Sequence, residues 1–348
     1  MLCIKQSMVK KFFITGSAGF IGFSLAKSLL DEGHHIHGYD CMSDYYDVTL
    51  KKARNEILQK YKNYSFTEDM LENQEVVDKV VTSFKPEIII HLAAQAGVRY
   101  SIDQPRTYLS SNITGTFNII EVANKVKVKH LIIASSSSVY GANKNIPYRE
   151  VDKTQTQLSV YAATKKSTES IAHSYSNIWR LPITMLRFFT VYGPWGRPDM
   201  ALFKFTKGII EGDPIDIYNH GKMYRDFTYI DDIVKGIIGL TSVPPKIEAN
   251  VDKDDSLSPV APFRIVNIGN SNQVKLLDFV ETIESYLGKK AVRNYMSMQQ
   301  GDVSATWANT DLLKKLTGYA PKTDVEEGVK KFIDWYLSYY KIKKNTIL

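Results

Sequence analysis

The stretch KFFITGSAGFIG, Lys11–Gly22, decides the fold of this chain. Its first part, Lys11–Thr15, is rich in aromatic and β-branched residues and predicts a strand. The segment from about Phe20–Leu30 predicts a helix, and His35–Tyr39 predicts a second strand that ends at Asp40. Strand, helix and strand in immediate succession predict a βαβ unit, and therefore a parallel sheet with right-handed crossovers.

Further strand-like segments alternate with helical patterns along the first half of the chain. Several of them are unbroken apolar runs, as expected for strands that are buried on both faces of a parallel sheet. These predicted strands are Tyr64–Glu68, Glu87–Leu92, Lys129–Ser135 and Leu181–Phe189. We therefore predict an α/β fold with a Rossmann-type, doubly wound parallel sheet.

Three glycines lie between the first strand and the first helix at GxxGxxG spacing. Gly16 permits a tight turn, Gly19 lets the backbone approach a pyrophosphate, and Gly22 lets the helix pack closely on the strand. The N-terminus of that helix offers free N–H groups to phosphates. Asp40 can accept hydrogen bonds from both adenosine ribose hydroxyls, which favours NAD over NADP. The other residues predicted to contact NAD from these early elements are Phe20, Ile21, Asp69, Met70, Leu92, Ala93 and Ala94.

The regular alternation of predicted strands and helices ends at about residue 190. Gly193–Pro198 is a turn-rich break, and shorter elements follow it. They are a helix over Leu202–Glu211, a strand over Pro214–Tyr218, a loop over Ser242–Pro262 and a helix over Val325–Tyr340. We predict an NAD-binding domain over residues 8–190, to which segments at about 224–240 and 262–270 return. Residues 191–340 are predicted to form mainly a smaller α+β region that binds the substrate.

Composition excludes several other classes of protein. The chain of 348 residues is 44 % hydrophobic and 23 % charged, which rules out a disordered protein, a collagen or a coiled coil. No apolar run approaches the roughly 20 residues of a membrane-spanning helix. The formal charge of +7 is not gathered into clusters with interleaved aromatics, so we expect neither a membrane nor a nucleic-acid partner. Two cysteines cannot build a four-thiolate zinc site, and no metal is expected.

We expect the protein in the cytoplasm. Met1–Lys10 has no apolar core of signal-peptide length, and only two cysteines suit a reducing compartment. Met8 offers an alternative start site, so residues 1–7 are left out of the predicted domain.

Two groups of residues indicate chemistry. Tyr161 and Lys165 lie four positions apart in the run YAATK, and so share one face of a predicted helix. A phenol titrates at about pH 10. A neighbouring ammonium and an oxidised nicotinamide both favour the phenolate, so Tyr161 can act as a general acid and base. The run SSSSVYG at Ser135–Gly141 ends a predicted buried strand, where open parallel sheets bind ligands, and its hydroxyls can hydrogen-bond a sugar.

These groups, together with three longer motifs, resemble the sequence pattern of a known family. The glycine loop, the serine-rich strand end and the Tyr161/Lys165 pair resemble the extended short-chain dehydrogenase/reductase superfamily. Three further runs are similar to UDP-glucuronate 4-epimerases: LAAQAGVR at Leu92–Arg99, LRFFTVYGPWGRPDMA at Leu186–Ala201 and RDFTYIDD at Arg225–Asp232. The resemblance extends from about Val9 to about Tyr340.

The resemblance implies NAD-dependent 4-epimerisation of UDP-glucuronate to UDP-galacturonate. Tyr161 would remove the proton of the sugar 4-hydroxyl while hydride passes from C4 to NAD⁺. Ser136 would hydrogen-bond the 4-oxygen, and Lys165 would hold the nicotinamide ribose. The 4-keto sugar would then swing about its diphosphate and receive the hydride on its other face. The implied substrate contacts beyond Ser136 are Arg99, Ser137, Ser138, Thr190, Arg197, Met200, Arg225, Gln299 and Asp302.

Four of these implied contacts have particular roles. Arg225 matches the family arginine on the UDP diphosphate, and Asp302 matches an acid on the uridine ribose. Gln299 stands where related galactose epimerases carry a second diphosphate arginine, so the diphosphate contacts must be partly redistributed. Arg197 is expected to anchor the uronate carboxylate by a charge-assisted hydrogen bond. A diphosphate contact or a brace for its own turn are the alternative roles of Arg197.

Sister reactions share the 4-keto intermediate. The 4,6-dehydratases carry Asp-Glu immediately after the 4-oxygen residue, where this chain has Ser137 and Ser138, so dehydration is not expected. UDP-glucuronate decarboxylases usually carry a glutamate at the position of Ser138. Decarboxylation, 4-epimerisation of UDP-glucose or UDP-N-acetylglucosamine, net oxidoreduction with release of NADH, and NAD binding without turnover remain the alternatives.

The resemblance also implies a homodimer and a place in metabolism. Pro105–Lys125 and the helix that bears Tyr161 would pair with their symmetry mates as a four-helix bundle. Ile113, Phe117, Ile120 and Val122 would supply apolar surface, part of which must face the sheet. The implied setting is nucleotide-sugar metabolism that serves polysaccharide biosynthesis.

Overall fold

The computed structural model of the protein describes residues 9–344, so the alternative start at Met8 and residues 1–7 lie outside the described part. The strands are β1 Lys11–Thr15, β2 His35–Asp40, β3 Tyr64–Glu68, β4 Ile88–His91, β5 His130–Ser136, β6 Ile183–Phe188, β7 Thr190–Tyr192, β8 Pro214–Ile217, β9 Tyr224–Tyr229, β10 Phe263–Ile268, β11 Gln273–Lys275 and β12 Val292–Tyr295. The α-helices are α1 Phe20–Asp31, α2 Val48–Leu58, α3 Gln74–Phe84, α4 Tyr100–Asp103, α5 Pro105–Tyr108, α6 Thr116–Lys125, α7 Val160–Trp179, α8 Ala201–Glu211, α9 Ile230–Leu240, α10 Leu276–Leu287, α11 Asp311–Thr317 and α12 Val325–Tyr339. Leu109–Gly115 is π-helical, and Ser137–Tyr140 and Tyr218–Gly221 are short 3₁₀ turns.

A parallel sheet with the strand order β10-β6-β5-β4-β1-β2-β3 forms the centre of the molecule. In its register Thr15 on β1 lies beside Tyr39 on β2 and His91 on β4. The chain returns to the middle of the sheet after β3, so the strand order reverses between β1 and β4. Loops diverge at such a reversal and leave a crevice at the carboxyl ends of the strands, which is where ligands bind in sheets of this kind. The predicted doubly wound parallel sheet is confirmed.

Successive side chains of each central strand point alternately into two hydrophobic cores, one on each face of the sheet. Phe12 and Ile14 point into a core that includes α1 and α9, whereas Phe13 points into the core beneath α3, α6 and α7. Ile88–Ile90 is buried along its whole length because helices cover both of its faces. The two hydrophobic layers therefore hold the sheet rigidly, and only the ends of its strands are available to a ligand.

Two C-terminal segments, at about 224–240 and 262–270, contact the main domain in different ways. The segment at about 224–240 was expected to return to the main domain. Its helix α9 packs against α1, but its strand β9 lies in a separate three-stranded sheet between β7 and β11. In the segment at about 262–270, β10 does join the main sheet, where it pairs with β6. The two-domain division itself stays a prediction.

Local predictions from periodicity agree with the structure at most element bounds. The predicted helix at Leu202–Glu211 begins one residue earlier, and the predicted strand at Pro214–Tyr218 ends one residue earlier. The predicted loop over Ser242–Pro262 contains no helix or strand. Helix α2 was not predicted, and it closes one side of the cleft described below. Within residues 9–344, no helix is long and apolar enough to cross a membrane.

Candidate active site

A cleft of about 1070 Å³ lies at the carboxyl ends of the parallel strands. It extends from the glycine loop after β1, past the end of β5 and the start of α7, to the loop around Asp302. Every site residue predicted from the sequence lines this cleft except Gln299. Of the residues described, no group of three or more His, Cys, Asp or Glu could hold a metal ion.

The glycine loop has no room for side chains. A Cβ on Gly16, whose φ is +72°, would lie 2.8 Å from the backbone nitrogen of Ala93, and one on Gly22 would lie 2.0 Å from the carbonyl oxygen of Gly16. Gly19 is the N-cap of α1 and supplies no capping side chain, so the first N–H groups of α1 lack a protein partner of that kind. The loop therefore fits a pyrophosphate group that approaches the helix N-terminus.

Asp40 fixes the loop and faces the cleft. Its two carboxylate oxygens accept hydrogen bonds from the backbone N–H groups of Ala18, at 3.1 Å, and Met42, at 3.0 Å. Along the same wall, the Tyr39 hydroxyl donates to the carbonyl of Met70, at 2.9 Å, next to Asp69. The remaining predicted cofactor contacts on this wall are Phe20, Ile21, Leu92, Ala93 and Ala94. These residues fit NAD, because the cradle is made by glycines and an acid stands at the end of β2.

Ser136, Tyr161 and Lys165 meet where β5 ends and α7 begins. Ser159 caps α7 by accepting from the N–H of Ala162, at 3.1 Å, and Tyr161 follows in the first turn. Lys165 lies one turn later and is buried, and its Nζ donates to the carbonyl oxygen of Ala134 on β5, at 2.8 Å. The Ser136 hydroxyl accepts from the N–H of Ser138, at 3.1 Å, which turns the chain at the strand end. The sequence-predicted trio thus converges on one point of the cleft.

Burial shifts the pKa values of Tyr161 and Lys165. It raises the pKa of Tyr161, although a hydrogen bond with Ser136 and the positive charge of Arg197 act in the opposite direction. Burial also lowers the pKa of Lys165 to about 8. Tyr161 is therefore a neutral phenol at pH 7 in the protein alone, and its ionisation depends on further positive charge.

A buried ion pair that the sequence analysis missed holds α7 against the sheet. Glu169 lies one turn beyond Lys165, and its carboxylate accepts two hydrogen bonds from Arg187 on β6, both at 2.9 Å. The Ser135 hydroxyl donates to the same carboxylate at 2.7 Å. Although burial opposes ionisation of Glu169, the Arg187 charge holds its pKa below the usual value. Both side chains of the pair are 2 % exposed, so this contact fixes α7 to β5 and β6 from inside.

Asn112 was also missed, and it fixes the loop after β4. It lies in the π-helical segment Leu109–Gly115, and its Nδ2 donates to the carbonyl of Gln95, at 3.0 Å, and to the hydroxyl of Thr164, at 3.1 Å. Its Oδ1 accepts from the N–H of Gln95 at 2.8 Å. A π-helical turn inserts a residue and re-aims side chains, which a period of 3.6 residues does not reveal.

The predicted carboxylate anchor, Arg197, already has a partner. Its guanidinium forms a two-bond ion pair with Asp199, and the Tyr45 hydroxyl donates to Asp199 at 3.2 Å. Burial opposes ionisation of Asp199, but the Arg197 charge outweighs it and lowers the pKa of Asp199. Ser137, Ser138, Thr190 and Met200 line the same part of the cleft. The spacing Arg-x-Asp in the turn was the sequence signal for this pair, and it was not recognised.

Two arginines converge at the far end of the cleft. Arg225 on β9 donates to Asp302 at 2.8 Å, and Asp302 is thereby engaged by protein rather than free. Arg99 lies over the Tyr218 ring, 4.4 Å from its centre. Burial lowers the pKa of Arg225 and the charge of Arg99 acts in the same direction, whereas the Asp302 carboxylate raises it. Gln299 does not line the cleft, and its buried Oε1 has no hydrogen-bond partner among residues 9–344.

The parallel sheet, the glycine cradle and the serine–tyrosine–lysine trio define an NAD-dependent enzyme of the extended short-chain dehydrogenase/reductase class. The chain belongs to the GDP-mannose 4,6 dehydratase family of that class, whose sequence pattern matches residues 13–332.

Known proteins with nearly full-length similarity carry more specific names. A Rhizobium meliloti protein named "Probable UDP-glucuronate 4-epimerase" is 51 % identical over 97 % of this chain and 100 % of its own length. UDP-glucuronate 4-epimerase 4 of Arabidopsis thaliana is 45 % identical over 96 % of this chain and 76 % of its own length. The crystal structure of Bacillus cereus UDP-glucuronic acid 4-epimerase with UDP-glucuronic acid and NAD has a TM-score of 0.84 at 31 % identity, over 95 % of this chain and 100 % of that one.

Replacing Lys165 tests the electrostatic cost of the site. Folding below pH 8 must bury an ammonium, because the folded pKa is about 8 and the unfolded value is about 10.4. Between these values the unfolded chain holds more protons, so this cost fades as pH rises. We expect nucleotide-free Lys165→Met to be more stable than the unaltered protein at pH 7, by about 2 kcal/mol after loss of one hydrogen bond.

The measurement is urea unfolding of both proteins across this pH range. The stability advantage of Lys165→Met should shrink from about pH 8 toward about pH 10. A difference that stays constant with pH would contradict the burial of a charged Lys165.

Proposed function

We propose that this protein catalyses the NAD-dependent 4-epimerisation of UDP-glucuronate to UDP-galacturonate. The observation that carries the proposal is the convergence of Ser136, Tyr161 and Lys165 beside a wall that holds Arg197 and has hydroxyls at positions 137 and 138. The names of the similar proteins support the same reaction and the same cofactor. The enzyme is an isomerase, since the sugar leaves with the oxidation state it had on entry.

The side chains divide the work of the reaction between them. Tyr161 takes the proton of the sugar 4-hydroxyl and later returns it to the 4-oxygen, so one group is both base and acid. Ser136 hydrogen-bonds the 4-oxygen and holds it against Tyr161. NAD⁺, when bound, would supply the acceptor and donor of the C4 hydride and a positive charge that favours the Tyr161 phenolate. Lys165, held by the Ala134 carbonyl, is placed to bind the nicotinamide ribose.

The hydroxyl wall separates epimerisation from its sister reactions. A dehydratase needs an acid and a base beside C5 and C6, but Ser137 and Ser138 supply neither at pH 7. A 4-keto uronate loses CO₂ when its carboxylate turns perpendicular to the ketone. Hydroxyls and Arg197 together can restrain that carboxylate, which keeps the intermediate intact for hydride return.

The diphosphate is assigned to Arg225 and Arg99. Arg99 lines the same cleft as Arg225, so we assign it the role of the second diphosphate arginine, whose position Gln299 occupies in this chain. Asp302 lies against Arg225, and we assign it to orienting that guanidinium beside the uridine ribose. A location in the cytoplasm and a role in polysaccharide biosynthesis stay predictions from the sequence.

Tyr161→Phe removes one oxygen and keeps the ring. General acid and base groups contribute about 10²–10⁴-fold to rate, so we expect epimerisation to fall at least by that factor. Binding of NAD and of UDP-glucuronate should stay nearly unchanged, because the ring still packs against Tyr108. Product formation is measured by NMR and binding by calorimetry. Retention of most of the activity would remove Tyr161 from the mechanism.

Arg197→Met tests the carboxylate subsite. A hydrogen bond to a charged group contributes about 1.5–3 kcal/mol, so KM for UDP-glucuronate should rise about 10–100-fold. Any UDP-glucose activity should change far less, and a trace of a decarboxylated UDP-pentose should form. The variant leaves Asp199 without its partner, which adds repulsion toward a uronate.

Three readouts on the Arg197 variant separate its possible roles. Equal losses on UDP-glucuronate and UDP-glucose would assign Arg197 to the diphosphate and overturn the carboxylate subsite. A lower melting temperature with both KM values unchanged would assign it to bracing the turn.

We further propose a homodimer through α6 and α7. Ile120 and Val122 are buried against the sheet, so they are not available to a partner. An outer stripe remains: Leu109, in the π-helical segment before α6, is 49 % exposed, Ile178 on α7 is 59 % exposed, and Phe117 of α6 packs edge-on against Tyr175 of α7. Such an apolar stripe on two neighbouring helices suits a four-helix bundle with a second copy.

Sedimentation velocity at micromolar concentration tests this assembly. The unaltered chain should sediment as a dimer. Leu109→Glu should shift it to a monomer, because a carboxylate would be buried without a partner. Val260→Glu, at a loop residue of similar exposure, should leave the dimer intact. A monomeric unaltered chain would rule the dimer out.

A further inference from the structure

Arg54 on α2 is a buried cation that no carboxylate neutralises. Its side chain is fully buried, and no Asp or Glu between residues 9 and 344 lies within ion-pair distance of it. Its guanidinium donates instead to neutral oxygens: the carbonyl of Ala18 at 3.0 Å, the hydroxyl of Tyr46 at 3.1 Å and the carbonyl of Trp195 at 2.6 Å. A buried charge is normally paired with an opposite charge. The contacts that replace such a pair here therefore identify what Arg54 does.

These acceptors belong to two loops that are far apart in the sequence. Ala18 lies in the glycine loop, and its N–H is bound by the Asp40 carboxylate, so both sides of this residue are held. Trp195 and Gly196, whose carbonyl accepts at 3.3 Å, lie in the turn that leads to Arg197. One planar guanidinium thus joins the loop that fits the cofactor to the turn that carries the predicted uronate anchor.

The turn needs an external hold. Trp195 has φ +63°, in the left-handed region that a bulky residue rarely adopts. Its ring packs against Phe23 of α1 and Trp335 of α12, and its carbonyl makes the short bond to Arg54. Such a conformation persists only where the surroundings over-determine it, and such positions cluster at ligand sites.

We infer that Arg54 is a positioning residue that couples the cofactor subsite to the uronate subsite. The inference rests on the proposed function, since it assigns the partner of Arg197 to a UDP-uronate. A dinucleotide bound against the glycine loop would restrain Ala18 further, and through Arg54 it would also restrain the turn before Arg197. Ordering the turn beforehand lowers the cost of binding the second ligand. By linkage, the uronate must strengthen dinucleotide binding by the same factor.

The experiment measures UDP-glucuronate affinity by calorimetry with nucleotide-free protein and with protein saturated with NAD. Coupling between sites is typically about 5–150-fold. We expect NAD to tighten UDP-glucuronate binding by at least about 5-fold in the unaltered protein, and by less than about 2-fold in Arg54→Lys. Lysine keeps the charge but offers a point ammonium on a flexible stem, which cannot hold Ala18 and Trp195 together. Arg54→Met should lose the coupling as well.

Lys52→Met is the matched control, because it removes an exposed cation from the same helix. It should leave the coupling unchanged. UDP is the second control ligand: it lacks a carboxylate, so its affinity should respond to NAD equally in all four proteins.

Each outcome decides one point. Unchanged coupling in Arg54→Lys would overturn the inference, and so would a loss of affinity for both ligands with their coupling intact, which marks a merely structural arginine. If Arg54→Met does not fold, Arg54→Lys and the control carry the test. Failure of the proposed function is distinct from these results, since the unaltered protein would then bind UDP but not UDP-glucuronate.

Discussion

The buried ion pair between Glu169 and Arg187 holds the reacting side chains in place. Glu169 is on the same helix as Tyr161 and Lys165, at successive turns of four residues, and Arg187 projects from the neighbouring strand β6. Ser135 adds a hydrogen bond from β5, directly before Ser136. Removing one partner of such a pair costs about 3–5 kcal/mol in other proteins, because the remaining charge is left buried and unpaired. Tyr161, Lys165 and Ser136 are therefore held in fixed positions relative to one another.

This rigidity suits a reaction that must use one acid–base group on two faces of a sugar. The substrate has to turn within the cleft while the protein groups stay still. Arg99 and Arg225 line the same cleft as Tyr161, and in the proposed function they hold the diphosphate about which the sugar turns. The Arg197–Asp199 pair also lines the cleft and presents a balanced charge rather than a bare cation. A balanced anchor can hold a carboxylate without trapping it.

The sequence predicted those parts of the fold that local pattern controls. The apolar runs marked the central strands, because strands buried on both faces must be apolar throughout. The glycine spacing marked the cofactor loop, since no other residue fits there. Helix α2 escaped prediction because its buried positions include Lys51, Arg54 and Asn55, which no hydrophobic period reveals. The pairing of β9 with β7 and β11 was not predicted, because a short strand pattern does not specify its neighbours.

The candidate site, like the fold, has parts that the sequence predicts and parts that only the folded chain reveals. The sequence by itself determined the glycine cradle, Asp40, and the trio of Ser136, Tyr161 and Lys165, because each lies beside a strand or helix end whose position the pattern fixes. Only the tertiary structure decided the partners: Glu169 with Arg187, Arg197 with Asp199, and Arg54 with two distant loops. Such pairs join residues between 2 and 141 positions apart. A side chain's chemistry is written in the sequence, but what neutralises or holds it depends on the packing of elements that only the folded chain brings together.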